Sequence, residues 1–274
     1  METGLQGQLK KSQLPSAMGD LFPKRPEADH LWWWKDSDVV SITYLTPEAA
    51  AAAVLPSEFS LPRAPVEGLT VATLTFGKYR SSTLGPYNEV FLQVPCLYKG
   101  QLYFYIPSIY VTNDGALASG RELFGFPKQL ATIELDSSGA SISGSLERHG
   151  VRVASISFKQ GNMLYSVPLP TKEKVALSPP FDQMIVLPEP IGRPQGFPFR
   201  VATTRFIPDG IAPQHIESLW KLEQGAVWAG EGSIEYAPSD AEPGAKLPVV
   251  GVLPSILFRG DMACYGGQVL TEME

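Results

Sequence analysis

The chain has 274 residues, with 22 basic and 28 acidic side chains and a formal net charge of −6. An apolar fraction of 44% with so small a charge excludes a disordered polymer, and 25 Gly with 25 Pro are too dense for a coiled coil. No basic excess exists to neutralise phosphates, which argues against nucleic-acid binding, and the longest small-apolar run, residues 49–55, is far short of a membrane span.

Residues 1–30 are polar and read as a loosely docked N-terminal arm, ahead of a single domain over 31–274. No stretch in the arm resembles a secretory signal, so a cytoplasmic protein is expected. Trp32, Trp33 and Trp34 cannot all face one way in a strand or a helix; core packing plus a contact to a second subunit is their expected use. The β-branched run 39–44 predicts a strand. Thr46-Pro47-Glu48 predicts a helix start, with a hydroxyl cap, a first-turn proline and an acid at the positive end, running 49–55 until Pro56 stops it. Residues 69–79 alternate as a long strand, and 89–95 with 102–109 form an antiparallel pair turned at Lys99-Gly100. Asn113-Asp114 cap a helix over 115–123, with Gly125 as its left-handed end. Phe126, before Pro127, is pushed to an extended backbone. A strand over 130–135 follows, then a hairpin of 141–146 and 151–158 around Arg148-His149-Gly150. Residues 167–198 are proline-rich and read as an ordered excursion. Further strands are expected over 199–206, 233–236 and 249–258, and a helix over 211–222 with Trp220 on its apolar side. Many short strands with few helices predict an α+β fold dominated by a curved antiparallel, barrel-like sheet.

Several chemistries lack their residues. Cys96 and Cys264 are too few for a disulfide framework and read as reduced, mostly buried thiols. His30, His149 and His215 are too widely spaced for a histidine-rich metal site. No nucleophile-elbow pentapeptide occurs. Gly230-Glu231-Gly232, the nearest approach to a glycine-rich loop, lacks a third glycine. Neither a metal nor a cofactor is expected.

The most informative stretch is Gly120-Arg121-Glu122-Leu123-Phe124-Gly125-Phe126-Pro127-Lys128-Gln129-Leu130. One lysine lies among leucines, phenylalanines and a proline. Loss of hydration disfavours an ammonium, and a neutral amine can attack a ketone to form a Schiff base whose iminium is an electron sink. From spacing alone, a lysine reaching past apolar neighbours to water is the commoner outcome.

This stretch resembles the active-site segment of the acetoacetate decarboxylase family, which carries Gly-Arg-Glu, a few mostly apolar residues, then Pro-Lys. Tyr110 to Asp114 with Ala116-Leu117-Ala118 is similar to the turn and helix before that motif. Tyr87-Asn88-Glu89 is similar to the region of a family glutamate, and Ser41 to Tyr44 with the following alanine-rich helix is similar to the family's first strand and helix. Residues 180–198 resemble its later part less specifically. The resemblance implies a barrel-like fold, a homo-oligomer (dimer or tetramer), Lys128 as the Schiff-base lysine and Glu89 as the acid, base or polarising carboxylate.

The departures also inform. Decarboxylases of the family carry a second lysine after the nucleophile, where this chain has Gln129. An arginine ahead of the first strand and a second glutamate have no clear match. Tyr265 stands where decarboxylases tend to have an aliphatic residue or proline. Relatives with Gln after the lysine resemble aldolase-dehydratases or cyclases acting on keto acids. Gln129 can bind a carbonyl or carboxylate without ionising, and Tyr265 can relay a proton, so both are expected at the substrate. Arg80 reads more naturally as a surface ion pair than as a carboxylate clamp, and Arg121 and Glu122 as braces of the helix. The expectation is a cofactor-independent lyase performing aldol-type condensation or cleavage, dehydration or cyclisation on a small keto acid or ketone. Decarboxylation of a β-keto acid is the alternative, and a catalytically silent ligand-binding relative is a third reading.

Overall fold

Alternating apolar and polar residues, rich in β-branched and aromatic side chains, dominate the chain. In the computed structural model, which describes residues 32–63, 66–167, 199–205, 214–239 and 242–272, they form one twelve-stranded sheet. The arm over 1–30, most of the proline-rich excursion and residues 206–213 lie outside the described residues. In chain order the elements are β1 (Trp32–Pro47), α1 (Glu48–Ala52), β2 (Leu69–Ser82), β3 (Tyr87–Tyr98), β4 (Gln101–Val111), α2 (Asp114–Phe124), β5 (Lys128–Leu130), β6 (Thr132–Asp136), β7 (Ser141–Arg148), β8 (Val151–Val167), β9 (Phe199–Arg205), β10 (Gln214–Tyr236), a 3-10 turn (Pro243–Lys246), β11 (Gly251–Val252) and β12 (Ser255–Glu272).

Strands β1 to β4 form an antiparallel meander. Strand β9 joins β4 in parallel, β10 pairs with β9, and β12 pairs with β10 and returns to β1, so the sheet closes on itself. The far part of β10 also pairs with β8, which continues through β7 to β6. Those three strands fold over one face of β1–β3. The result is mostly β with few helices, the barrel-like architecture expected.

Two cores lie on the two faces of the meander. Val40, Ile42, Tyr44, Leu74, Phe76, Val90 and Leu92 meet Ile133, Leu135, Ile142, Leu146, Ile156 and Phe158 in the first. Trp32, Trp34, Tyr79, Tyr87, Ile109, Val111, Phe124, Phe126, Trp220 and Met262 make the second. A register shift between Trp34 and Ser37, with Asp36 at φ 50, bulges β1. Because side chains alternate strictly, one inserted residue exchanges faces. Trp34 therefore faces the second core while Val40 faces the first. Trp32 and Trp34 are buried and Trp33 is half-buried, as the triple-indole argument required.

The structure corrects four expectations. The stretch read as a helix over 211–222 is, from Gln214 onward, part of β10; pairing with β9 on one side and β12 on the other overrides its helical spacing. Helix α1 ends at Ala52 and is capped at Pro47 without a side-chain bond, so the Thr46 hydroxyl is no cap. The strand expected over 130–135 is split at Ala131 into β5 and β6, which pair with different partners. The strand expected over 249–258 is split between β11 and β12. The two hairpin turns hold. Lys99 and Gly100 have φ 49 and 77, and His149 and Gly150 have φ 53 and 76, the paired positive values a tight two-residue turn needs.

One buried carboxylate ties the layers together. Asp38 on β1 accepts from Arg80 Nη2 on β2 at 2.6 Å, lies 3.4 Å from Arg259 Nε on β12, and accepts from the Ser137 hydroxyl ahead of β7. Arg259 Nη2 also donates to the Ser137 carbonyl at 2.8 Å. Arg80 is thus the ion pair expected of it. Replacing Asp38 by Ala removes the shared acceptor. The expected loss is about 2–3 kcal/mol, read as a lower urea midpoint at unchanged slope.

Candidate active site

Lys128 opens β5, and the local sequence explains how it gets there. Asn113 is extended, and its side chain accepts the Ala116 N–H at 2.6 Å, which starts α2. Gly125 ends the helix in the left-handed region at φ 67, a conformation that costs glycine little. The N–H groups of Gly125 and Phe126 take the Arg121 and Gly120 carbonyls at 3.2 and 3.1 Å. The chain then reverses through Phe126-Pro127, and β5 lies parallel to β4 with Lys128 opposite Ile109. Arg121 reaches across the reversal to donate to the Lys128 carbonyl at 3.2 Å. It is the brace expected of it; the Glu122 side chain lies outside the described residues.

Glu89 comes from β3, opposite Gly77 on β2 and Val111 on β4. Val111 and Ile109 both face the second core, so Glu89 and Lys128 face it as well. Lys128 Nζ donates to Glu89 Oε2 at 3.2 Å, and each residue is only 4% exposed. The rings of Tyr87 and Phe126 lie 5.9 and 5.6 Å from the amine. Around them stand Trp32 against Phe124 at 4.8 Å and Trp34 stacked on Trp220 at 4.8 Å. The amine and the carboxylate are thus packed together among aromatic and aliphatic side chains.

Helix α2 makes room for the amine. A Cβ on Gly120 would stand 2.5 Å from both Cδ and Cε of Lys128. The glycine of the Gly-Arg-Glu motif therefore lets the helix lie directly on the lysine's alkyl chain.

Two tyrosines complete the surroundings, and the sequence reading missed both. Tyr79 and Tyr87 are cross-strand partners with rings 4.8 Å apart. The Tyr87 hydroxyl accepts the Trp34 indole N–H at 2.8 Å and offers its proton to Glu89. Burial first, and then the negative charge of Glu89, push both phenols well above the ordinary tyrosine range. Tyr87 was findable, since it lies two positions before Glu89 on one strand and so shares its face. Tyr79 needed the pairing of β2 with β3.

The structure brings Lys128 and Glu89 together and does not bring Gln129 to them. Consecutive strand residues point to opposite faces. Gln129, opposite the first-core Tyr110, lines a separate surface depression with Arg121, Arg148 and His149. The position after Lys128 thus has its side chain on the other side of the sheet from the amine. Tyr265 follows Cys264 in β12, and its side chain lies outside the described residues. Among the described residues no group of three His, Cys, Asp or Glu side chains is arranged to hold a metal ion, and no helix is long and apolar enough to cross a membrane.

Residues 14–273 match the profile of the family described as Acetoacetate decarboxylase (ADC). The chain is similar to Acetoacetate decarboxylase 3 of Mesorhizobium japonicum, 27% identical over 238 residues that cover 86% of this chain and 83% of that one. It is also similar to Decarboxylase DEC1 of Cochliobolus heterostrophus, 28% identical over 266 residues, 93% of each chain. In fold it is similar to acetoacetate decarboxylase from Legionella pneumophila, with a TM-score of 0.68 at 19% identity, covering 94% of this chain and 97% of that one. The enduracididine biosynthesis enzyme MppR complexed with pyruvate gives a TM-score of 0.64 at 18% identity, covering 88% and 90%.

Two expectations follow from the geometry. Gly120→Ala should leave stability within about 1 kcal/mol of the parent, because alanine favours a helix, yet displace the amine. Reductive alkylation of Lys128 by a small ketone with borohydride should slow by roughly 10²-fold. Native Tyr79 and Tyr87 keep their protons where an unfolded tyrosine, near pH 10, loses its own. In that window the unfolded chain binds fewer protons than the native one, so stability should fall as pH rises above about 10. Denaturant midpoints across that range, with tyrosinate absorbance of native and unfolded protein, measure both effects.

Proposed function

The chain belongs to the acetoacetate decarboxylase family, and on that premise we propose that it is a lyase that holds a small keto acid as a Schiff base on Lys128. The observation that carries this reading is the buried Lys128–Glu89 pair, an amine 3.2 Å from a carboxylate in apolar surroundings. Moving one proton from Nζ to Oε2 leaves both groups neutral, which apolar surroundings tolerate, and frees the nitrogen lone pair. The amine adds to the ketone carbon, and water leaves as the iminium forms. The iminium then accepts the electron pair of a bond broken at the adjacent carbon, giving an enamine. Glu89, having given its first proton to the departing water, takes up one from solvent and delivers it to that carbon, and hydrolysis by one water releases the product ketone and the free lysine.

For the bond that breaks, loss of carbon dioxide from a β-keto acid is the reading the site supports best. The described walls around the amine are aromatic and aliphatic, and Glu89 is the carboxylate beside it. Such surroundings offer a substrate carboxylate little stabilisation and favour its departure as a neutral molecule. The relatives' names, acetoacetate decarboxylase and decarboxylase, support the same reading. The placement of Gln129 weakens the case against decarboxylation, since a lysine there would also project away from Nζ. A second reading is aldol-type condensation or cleavage, dehydration or cyclisation. It is supported by the pyruvate complex of MppR on the same fold, with Glu89 removing the proton that makes the enamine and Tyr265 serving a leaving hydroxyl. The proposal includes assembly of the domain over 31–274 as a cytoplasmic homo-oligomer, dimer or tetramer.

Borohydride added with a keto acid should add the mass of the reduced adduct to Lys128, and Lys128→Ala should abolish both the adduct and turnover. Glu89→Gln should lower kcat by about 10²- to 10⁴-fold, the range of one general acid–base. Carbon dioxide evolution from a panel of β-keto acids, set against condensation of pyruvate with aldehydes, separates the two readings. No adduct with any ketone or keto acid would sink both.

A further inference from the structure

Beside β5 lies a cavity of about 530 Å³ whose described lining does not include Lys128 or Glu89. Its described lining combines apolar surface from Leu117, Phe126, Pro127 and Leu130 with the polar side chains of Arg121, Gln129, Arg148 and His149. It sits on the Gln129 side of β5, away from Nζ. Three features make it unusual for ordinary surface. Leu130 is 53% exposed there, a large apolar side chain left to water. The Arg148 Nε is buried with no hydrogen-bond partner, although a buried N–H left unmade is costly. The nearby carboxylate does not meet that need: Glu242 Oε1 lies 3.8 Å from Nη1, and its other oxygen already accepts the Tyr110 hydroxyl. Arg121, for its part, commits Nη1 to the Lys128 carbonyl and keeps further donors.

We propose that this cavity binds a small organic anion, an oxyanion on an apolar body, and that its occupancy is transmitted to Lys128. Two arginines, a histidine and a glutamine line it together with apolar residues, the composition that recognises such a ligand. The oxyanion pairs with the guanidinium groups of Arg121 and Arg148, and the body covers Leu130. The transmission runs through two groups shared with the catalytic chamber. Arg121 holds the carbonyl of Lys128, and Phe126, a residue of the cavity lining, has its ring 5.6 Å from the amine. The binding site is independent of the Schiff-base reading; the transmission rests on it.

The test uses hexanoate and hexyl phosphate, which have no ketone to react with Lys128 and which distinguish a carboxylate from a phosphate ligand. Calorimetric titration of the full chain should show at least one binding equally to the wild type and to Lys128→Ala. Arg148→Gln should weaken that binding about tenfold or more, the size of one charge-assisted hydrogen bond. Arg121→Gln should do the same, and it carries the comparison if circular dichroism shows the Arg148 variant misfolded. Binding lost in Lys128→Ala would place the ligand in the catalytic chamber and overturn the proposal. So would binding indifferent to both arginine substitutions, or no binding of either probe. Saturating ligand should change the rate of borohydride trapping at Lys128 in the wild type and not in Arg121→Gln; an unchanged wild-type rate overturns the transmission. If no trapping occurs at all, the Schiff-base reading fails while the calorimetry still decides the cavity.

Discussion

A lysine and a glutamate taken out of water together are the constraint around which the site is organised. Either one alone in apolar surroundings would carry a large desolvation cost; side by side each gives the other a hydrogen-bonded partner of opposite sign. Their partners come from three separate places in the chain: β3 supplies Glu89, the reversal after α2 supplies Lys128, and the tryptophans of β1 supply the wall. Nothing local holds them together. The meander of β2, β3 and β4 sets the carboxylate at one register position, and the parallel pairing of β5 with β4 sets the amine beside it.

The fold protects that pair by dividing its apolar residues between two cores. The strands β6 to β8 cover one face of the meander, and α2 with β10 and β12 covers the other. The bulge at Asp36 lets one strand serve both, since it exchanges the faces of the residues before and after it. Tyr87 then links wall to chemistry, taking the Trp34 indole N–H and offering its own proton to Glu89. The Asp38 hub with Arg80 and Arg259 holds β1, β2 and β12 in the register this arrangement needs.

The same alternation that unites Lys128 and Glu89 separates Gln129 from them. In the linear motif Gln129 adjoins Lys128, and its chemistry invites a role at the substrate. In the sheet it belongs to the opposite face, among arginines and a histidine around a different cavity. What surrounds the amine is therefore set by residues distant in sequence, the aromatic rings of β1, β3 and the α2 reversal, and not by its neighbour in the motif.

Much of the molecule was legible in the residues themselves. The caps of α2 at Asn113 and Gly125, the turns at Lys99-Gly100 and His149-Gly150, and the alternation of β2 follow from local sterics and hydrogen bonding, which a short segment carries by itself. The Pro-Lys motif with Glu89 pointed to the buried Lys128–Glu89 pair because their residue types and surroundings are chemically distinctive. The strand nature of 214–222, the role of Tyr79 beside Glu89, the exchange of faces at Asp36 and the separation of Gln129 from Lys128 were decided only by tertiary structure. Each depends on which strand lies alongside, and strand pairing is a contact between segments far apart in the chain, whose free energy no local stretch contains.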